Sequence, residues 1–176
     1  MHKLLAVLTL FILGTSYISA QQQTYRPKYK NPNGVELIAV YIGAEYCGPC
    51  HDPQLKSAIM QMKTILAERS AKEGWTFSVT GVATDWEVET GIAYLKGVGP
   101  FDEIIAGKNM FNHGATEYLW KDSAVPPVEP QVVLIEREVQ YAGGRVVIKN
   151  NRVIDRYIGT IDIISWVSKG VPLIHK

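Results

Sequence analysis

The chain of 176 residues has few of the features that assign a sequence to a specialised class of protein. It has only two cysteines, Cys47 and Cys50, which are too close together to join distant parts of a fold, so a disulfide scaffold is excluded. It has no excess of either charge, with 18 Lys and Arg against 17 Asp and Glu, which gives no electrostatic reason to expect nucleic acid. A hydrophobic fraction of 47% excludes a disordered chain. We therefore expect the two cysteines to serve chemistry.

Residues 1–20 have the pattern of a secretory signal peptide. Lys3 gives a positive start, residues 4–13 are almost entirely apolar, and small residues lead to Ala20. The apolar run is short for a membrane span, which needs roughly 20 such residues. We expect cleavage after Ala20 and a periplasmic or secreted protein in an oxidising compartment. Retention of the segment as an anchor, with membrane contact through it, is the alternative.

The next residues predict a linker and then a βαβ unit. Residues 21–34 are polar and predict a linker or N-terminal arm, and residues 35–176 predict one α/β domain. Residues 37–42 are continuously apolar, which is typical of a central strand covered on both faces. Residues 75–83 alternate in polarity as a second strand does. Between them, an amphipathic helix ending at Gly74 is predicted by a stripe of Leu55, Ile59, Met62 and Leu66.

Residues 86–129 are predicted to form an insertion of short helices. Gly97, Gly99 and Pro100 are expected to interrupt them, and Ile104 and Ile105 are assigned to a helix. An insertion of this length is expected either to shape partner recognition or to be a plain helical elaboration.

The C-terminal part predicts a strand, a hairpin and a last helix. Residues 132–135 predict the strand, and a hairpin is expected to turn at Asn150 and Asn151. Residues 137–150 are interpreted as an extension. The last helix is predicted from the spacing of Ile161, Ile164 and Val167.

The motif Cys47-Gly48-Pro49-Cys50 lies between the predicted central strand and the amphipathic helix. A helix N-terminus stabilises negative charge, so the pKa of the Cys47 thiol is expected to be low and Cys47 to be the exposed nucleophile. Cys50, one turn further in, is placed to attack and resolve a mixed disulfide. Pro49 suits a first helical turn, where its missing N–H costs nothing.

The run Ala44-Glu45-Tyr46-Cys47-Gly48-Pro49-Cys50 resembles the active site of the thioredoxin superfamily. The resemblance implies an α/β thioredoxin-like fold, with a mixed sheet of four to five strands flanked by helices and a helical insertion before the cis-proline strand. It implies a thiol-disulfide oxidoreductase that acts on protein substrates outside the cytoplasm. The Gly-Pro pair favours the reducing direction. A membrane-linked redox partner is implied, and no cofactor, metal or nucleic acid is.

The resemblance also implies roles for individual residues. Pro130, rather than Pro127, is the match to the cis-proline that contacts the substrate. Tyr41 stands where thioredoxins have a buried Asp, so Glu129 and Glu45 become candidate proton acceptors. The implied substrate-binding residues are Tyr46, Gly48, Pro49, Glu129 and Pro130, and the candidate modulators are His51, Glu45 and Tyr41.

Three alternatives remain open from the residues alone. The motif continues as C-x-x-C-H, the signature of covalent haem, with His51 as one axial ligand. The other axial ligand would be Met60, Met62 or Met110. Two thiolates and a His are also a partial metal site. The third alternative is a partner-binding module without turnover, against which the presence of both cysteines argues.

Overall fold

The computed structural model describes residues 25–28 and 33–173, so the predicted signal peptide lies outside the described residues. In chain order the elements are β1 (Gly34–Gly43), a 3-10 helix (Gly48–His51), α1 (Pro53–Lys72), β2 (Thr76–Ala83), α2 (Val88–Val98), β3 (Glu103–Ile105), a second 3-10 helix (Asn109–Phe111), α3 (His113–Tyr118), β4 (Gln131–Ala142), β5 (Arg145–Ile158) and α4 (Thr160–Ser168). Within the described ranges, no helix is long and apolar enough to cross a membrane.

The strands form one mixed sheet in the order β3-β2-β1-β4-β5. β1, β2 and β3 are parallel, β4 is antiparallel to β1, and β5 is antiparallel to β4. The sheet and its flanking helices confirm the predicted fold class. β1 is central, which explains why residues 37–42 are apolar without alternation.

The two faces of β1 enter two separate hydrophobic cores, because successive side chains of a strand point to opposite faces. One core, covered by α1, α2 and α4, contains Leu37, Ala39 and Tyr41. The other core, covered by α3, contains Ile38, Val40 and Ile42. The predicted stripe of α1 is buried in the first core at all four of its positions, Leu55, Ile59, Met62 and Leu66.

The prediction that the cysteine motif opens the long helix is wrong in its detail. Gly48–His51 form a 3-10 helix of their own, and Asp52 separates it from α1 with an extended backbone (ψ 122°). The reason is Pro53, since a residue that precedes proline is disfavoured in the helical region. The Asp52 carboxylate accepts a hydrogen bond from Gln54 N (2.7 Å) and so caps α1. The residue at the N-terminus of α1 is therefore Asp52, and Cys47 lies one 3-10 helix away from it.

The insertion contains a strand that the sequence did not indicate. Ile104 and Ile105 belong to β3, which pairs with β2, and not to a helix. Asp102 fixes the start of β3, because its carboxylate accepts a hydrogen bond from Val79 N (2.7 Å). α2 continues through Gly97 to Val98, so the predicted interruption at Gly97 is also wrong. Pairing with a free sheet edge outweighs local preference in so short a segment.

The hairpin turns at Gly143 and Gly144, and not at Asn150 and Asn151. Both glycines have positive φ (58° and 73°), as a two-residue hairpin turn requires. Asn150 also has positive φ (50°), but it lies within β5, between the paired residues at a register shift. Residues 137–150, which were interpreted as an extension, thus form the end of β4, the turn and the beginning of β5.

The buried face of α4 differs from the predicted stripe. Ile163, Trp166 and Val167 are buried, whereas Ile161 is exposed. The core cluster beneath α4 also includes Val171, which follows the helix.

Tyr25 anchors the segment before β1 to the domain. Its ring is buried and meets the ring of Phe77 edge to face at 5.6 Å between centroids. Its hydroxyl donates to the Asp102 carboxylate (2.5 Å). The segment predicted as a linker or arm therefore contacts the domain at this residue.

Lys63, on α1, is fully buried and makes the stability of the fold depend on pH. Its ammonium lies 3.7 Å from the centroid of the Phe101 ring and donates to Pro100 O (3.0 Å). Burial lowers the pKa of Lys63 to about 7. The unfolded chain, in which this pKa is about 10.4, binds more protons above pH 7, so the free energy of unfolding rises with pH between about 7 and 10.

We expect Lys63→Met to abolish most of this rise, which is at most about 1.4 kcal/mol per pH unit. Urea denaturation at several pH values measures it. Lys72→Met is the matched control, because Lys72 is exposed near the end of the same helix. Equal pH slopes in the wild-type protein and Lys63→Met would contradict the assignment.

Candidate active site

Cys47 and Cys50 are joined by a disulfide at the carboxyl end of β1. A tight turn holds them, in which Cys47 N donates to Ala44 O (3.2 Å) and Cys50 N donates to Cys47 O (3.0 Å). Cys47 is partly exposed, whereas Cys50 has a relative exposure of 0%. Of the two sulfurs, that of Cys47 is therefore the one open to an incoming thiolate or disulfide.

The Glu129–Pro130 peptide bond is cis, which confirms the expectation for Pro130. Pro130 is buried and leads directly into β4, whose first residue, Gln131, pairs with Ile42 near the end of β1. This register brings the cis-proline to the edge of the sheet that carries the cysteines. Thr160, at the start of α4, donates to Pro49 O (3.0 Å) and ties a third segment to the motif.

Glu129 lies beside the disulfide. One of its carboxylate oxygens and the two sulfurs, Cys47 Sγ and Cys50 Sγ, lie within 4.8 Å of one another. Oε1 accepts a short hydrogen bond from the Thr84 hydroxyl, whereas Oε2 is shielded from solvent and has no hydrogen-bond donor among the described residues. Burial raises the pKa of Glu129, the Thr84 bond opposes the rise, and the charge of Asp85 adds to it. The carboxyl group is placed to exchange a proton with either thiol.

Tyr41, six residues before Cys47, forms a buried pair with Tyr94. The two hydroxyl oxygens lie 2.6 Å apart. Burial raises the pKa of Tyr41 to about 12, so the phenol stays neutral at physiological pH and is not a base. The pair also explains Gly43, because a Cβ there would lie 2.6 Å from the Tyr94 hydroxyl.

The other predicted residues of the motif lie on the surface around Cys47. The Tyr46 hydroxyl donates to Thr84 O (2.5 Å), and Tyr46 as a whole is 59% exposed. Asp85 accepts a hydrogen bond from Glu45 N (3.1 Å), and His51 Nε2 lies 2.5 Å from Glu45 O. Neither Glu45 nor His51 belongs to the group formed by the sulfurs and Glu129.

Three residues of the site were missed by sequence reasoning: Thr84, Asp85 and Tyr94. Thr84 and Asp85 follow β2, and the carboxyl ends of neighbouring parallel strands meet at the same edge of a sheet. That rule was a usable signal for both residues. Tyr94 comes from α2, within the insertion, and nothing in the local sequence pairs it with Tyr41.

Two features bear on the alternatives. Cys50 is joined to Cys47 in a disulfide and has no exposed surface, and Met62 is fully buried in the core. The ring nitrogen of His51 is engaged by Glu45 O rather than directed at the sulfurs. Glu129, and not His51, is the residue that the fold brings to the cysteines as a third donor.

The insertion has exposed aromatic side chains and contacts the motif through a hydrogen bond. Trp86 is 70% exposed and Phe111 is 63% exposed, and the Phe111 ring stacks on that of Trp120 at 6.2 Å between centroids. Asn109, in the same loop, lies 3.0 Å from the Tyr46 hydroxyl. Contiguous exposed apolar surface marks interaction sites in soluble proteins.

No protein-family model matches the sequence, and a search of curated proteins finds no match either. Among solved structures, the chain is similar to a Chlorobium tepidum protein assigned as thiol:disulfide interchange protein DsbE. The TM-score is 0.44 at 15% identity, over 78% of this chain and 81% of that chain.

Two other solved structures are similar. One is a thiol:disulfide interchange protein of the thioredoxin family from Chlorobium tepidum TLS, with a TM-score of 0.36 and 15% identity over 84% of this chain and 100% of that chain. The other is MTB dsbF, with a TM-score of 0.31 and 12% identity over 77% of this chain and 81% of that chain. The chain's own sheet order, cysteine pair and cis-proline are those of a thioredoxin-like fold.

Proposed function

We propose that this protein is a thiol-disulfide oxidoreductase in which Cys47 attacks and Cys50 resolves. The observation that carries the proposal is the asymmetry of the pair, since Cys47 is partly exposed and Cys50 is buried beside a carboxylate. Exchange needs one accessible thiolate and a second thiol held within reach of the mixed disulfide. A disulfide with a merely structural role has no need of such an asymmetry.

The exchange proceeds in two steps. In the reduced protein, the Cys47 thiolate attacks a substrate disulfide, forms a mixed disulfide and expels the first substrate thiolate. The Cys50 thiol then gives its proton to the Glu129 carboxylate and attacks Cys47 Sγ. The second substrate thiolate leaves, and the protein is left with the Cys47–Cys50 disulfide, two electrons having passed to the substrate. A thiol donor then reduces the pair.

The surface around Cys47 supports protein substrates rather than small disulfides. Tyr46, next to Cys47 in sequence, is exposed and donates to Asn109 of the insertion, which also has exposed aromatic side chains. In this role Tyr46, Gly48, Pro49 and Glu129 contact the substrate chain, and Pro130 aligns its backbone.

The direction and the compartment are part of the proposal. The Gly-Pro pair between the cysteines supports reducing work, with a potential nearer the value of thioredoxin, about −270 mV, than that of the strong periplasmic oxidant, about −120 mV. The signal-peptide pattern of residues 1–20 supports a location outside the cytoplasm, periplasmic or secreted. A reducing protein there needs electrons from inside the cell, which a membrane-linked redox partner supplies.

Equilibration of the purified protein in glutathione buffers of stepped potential tests the proposal, with thiol alkylation and mass spectrometry as the readout. We expect a reversible two-electron transition of the Cys47–Cys50 pair near the thioredoxin value, together with reduction of a protein disulfide in the presence of a dithiol. A transition near −120 mV would contradict the direction. A pair that never cycles would contradict the function, and a Soret band in the visible spectrum would favour the haem alternative.

A further inference from the structure

Three metal-binding groups converge at one point of the fold. They are Cys47 Sγ, Cys50 Sγ and a carboxylate oxygen of Glu129, all within 4.8 Å of one another. The sulfurs come from one tight turn, while the carboxylate comes from Glu129, two residues before β4. Two segments far apart in sequence therefore supply donors to one place, which is the usual construction of a protein metal site.

The carboxylate is held ready for a further partner. Glu129 Oε1 accepts the hydrogen bond from the Thr84 hydroxyl, which fixes the orientation of the group as outer-shell partners of metal ligands do. Oε2 is shielded from solvent and has no hydrogen-bond donor among the described residues. A buried carboxylate oxygen without a partner costs free energy, and a cation bound there would remove that cost.

Reduction of the disulfide turns this place into a site for a cation. In the disulfide form the two sulfurs are neutral and already bonded to each other. After reduction, two thiols and a carboxyl group crowd into the same volume, and their ionised forms repel one another. A divalent cation neutralises that charge, and the site exists only in the dithiol state.

The donor set selects zinc among the common metals. Zn²⁺ accepts both thiolate sulfur, at about 2.3 Å, and carboxylate oxygen, at about 2.0–2.2 Å, in a tetrahedral arrangement. Copper(I) prefers soft sulfur donors alone, and Mg²⁺ and Ca²⁺ prefer oxygen alone. Because Cys47 is partly exposed, the fourth position opens to solvent and is filled by water.

We propose that the reduced protein binds one Zn²⁺ through Cys47, Cys50 and Glu129, and that formation of the disulfide releases it. Binding to the dithiol displaces two protons from the thiols. Release follows when a disulfide oxidant such as oxidised glutathione takes two electrons from the zinc-bound thiolates. The protein disulfide forms, two glutathione thiolates leave, and Zn²⁺ returns to solution. The inference rests on the proposed function only in needing a pair that can be reduced.

Isothermal titration of the reduced, metal-free protein with Zn²⁺ tests the proposal. We expect one Zn²⁺ per chain in the dithiol form and none in the disulfide form. Glu129→Gln should weaken binding by at least about 10-fold, whereas Glu129→Asp, which keeps a carboxylate, should lose less. Glu45→Gln is the matched control, since Glu45 is an exposed carboxylate near Cys47 that lies outside the cluster, and it should bind Zn²⁺ as the wild-type protein does.

Cobalt(II) gives a second readout that does not depend on activity. Thiolate-to-metal absorption should appear with the reduced wild-type protein and vanish on addition of oxidised glutathione. Thermal melting checks that both proteins are folded. Equal Zn²⁺ affinity of the wild-type protein and Glu129→Gln would then show that Glu129 is not a ligand. Binding that persists in the disulfide form would place the metal elsewhere. A protein that reduces disulfides but binds no Zn²⁺ refutes the zinc site alone, whereas one that binds Zn²⁺ without turnover refutes the proposed function alone.

Discussion

Cys50→Ser is expected to hold protein substrates in a covalent complex through Cys47. In this variant the exposed Cys47 still attacks the substrate disulfide, but the buried position no longer carries a thiol to attack Cys47 Sγ. The mixed disulfide therefore accumulates, and steady-state turnover falls by about 10⁴-fold, as it does when a member of an obligate catalytic unit is removed. Non-reducing electrophoresis of the variant, mixed with a reducible protein, shows the adduct.

Cys47→Ser is the matched control. It should lose turnover to a similar extent but form no adduct, because the remaining thiol of Cys50 lies at a position with no exposed surface. An adduct that forms with Cys47→Ser and not with Cys50→Ser would reverse the two roles. Because serine differs from cysteine by one atom, neither variant is expected to disturb the fold, and far-UV circular dichroism checks this.

The sequence predicts well those elements whose pattern of apolar residues matches the faces that they bury. The unbroken apolar run in β1 is typical of a central strand, and the apolar stripe of α1 is typical of a helix packed on a sheet, as both are. Pro130 was predicted as the cis-proline from the resemblance, through its position ahead of an apolar strand, and that strand pairs with β1. In each case a local pattern and the tertiary fold require the same structure.

The parts that the sequence did not predict are decided by contacts between distant segments. β3 is a strand only because the edge of β2 is free to pair with it, and Glu103, its first residue, pairs with Thr80 across a sequence distance that no local window covers. The hairpin was misplaced because both Asn-Asn and Gly-Gly tolerate positive φ. The pairing of β4 with β5 selects the glycines.

The candidate site divides in the same way. The cysteine pair is a short motif and was predictable together with the proposed order of attack, but the residues around it were not. Glu129 was one of two candidate carboxylates, and the sequence favoured it over Glu45 only through its place beside the predicted cis-proline. The fold supports Glu129, because it sets the start of β4 against the end of β1 and brings Thr84, which follows β2, to the same place.

Glu129→Gln is expected to slow the resolving step by about 10²-fold, the usual contribution of a positioned proton acceptor. The variant keeps the size of the side chain but cannot take the proton of Cys50. A stopped-flow reaction with an aromatic disulfide whose thiolate product is coloured separates the steps. The first equivalent of thiolate reports attack by Cys47, and the second reports resolution by Cys50. Only the second phase should slow, in buffers with chelator so that no metal contributes.

The pH profile distinguishes this role from a merely structural one. Glu129 accepts a proton only when ionised, so the wild-type resolving rate should fall as the pH is lowered through the pKa of Glu129. Burial raises that pKa, which moves the inflection above the usual range of a glutamate. Glu129→Gln should lack the inflection, Glu129→Asp should recover part of it, and Glu45→Gln should leave it in place. An unchanged inflection in Glu129→Gln would show that another group, or water, takes the proton of Cys50.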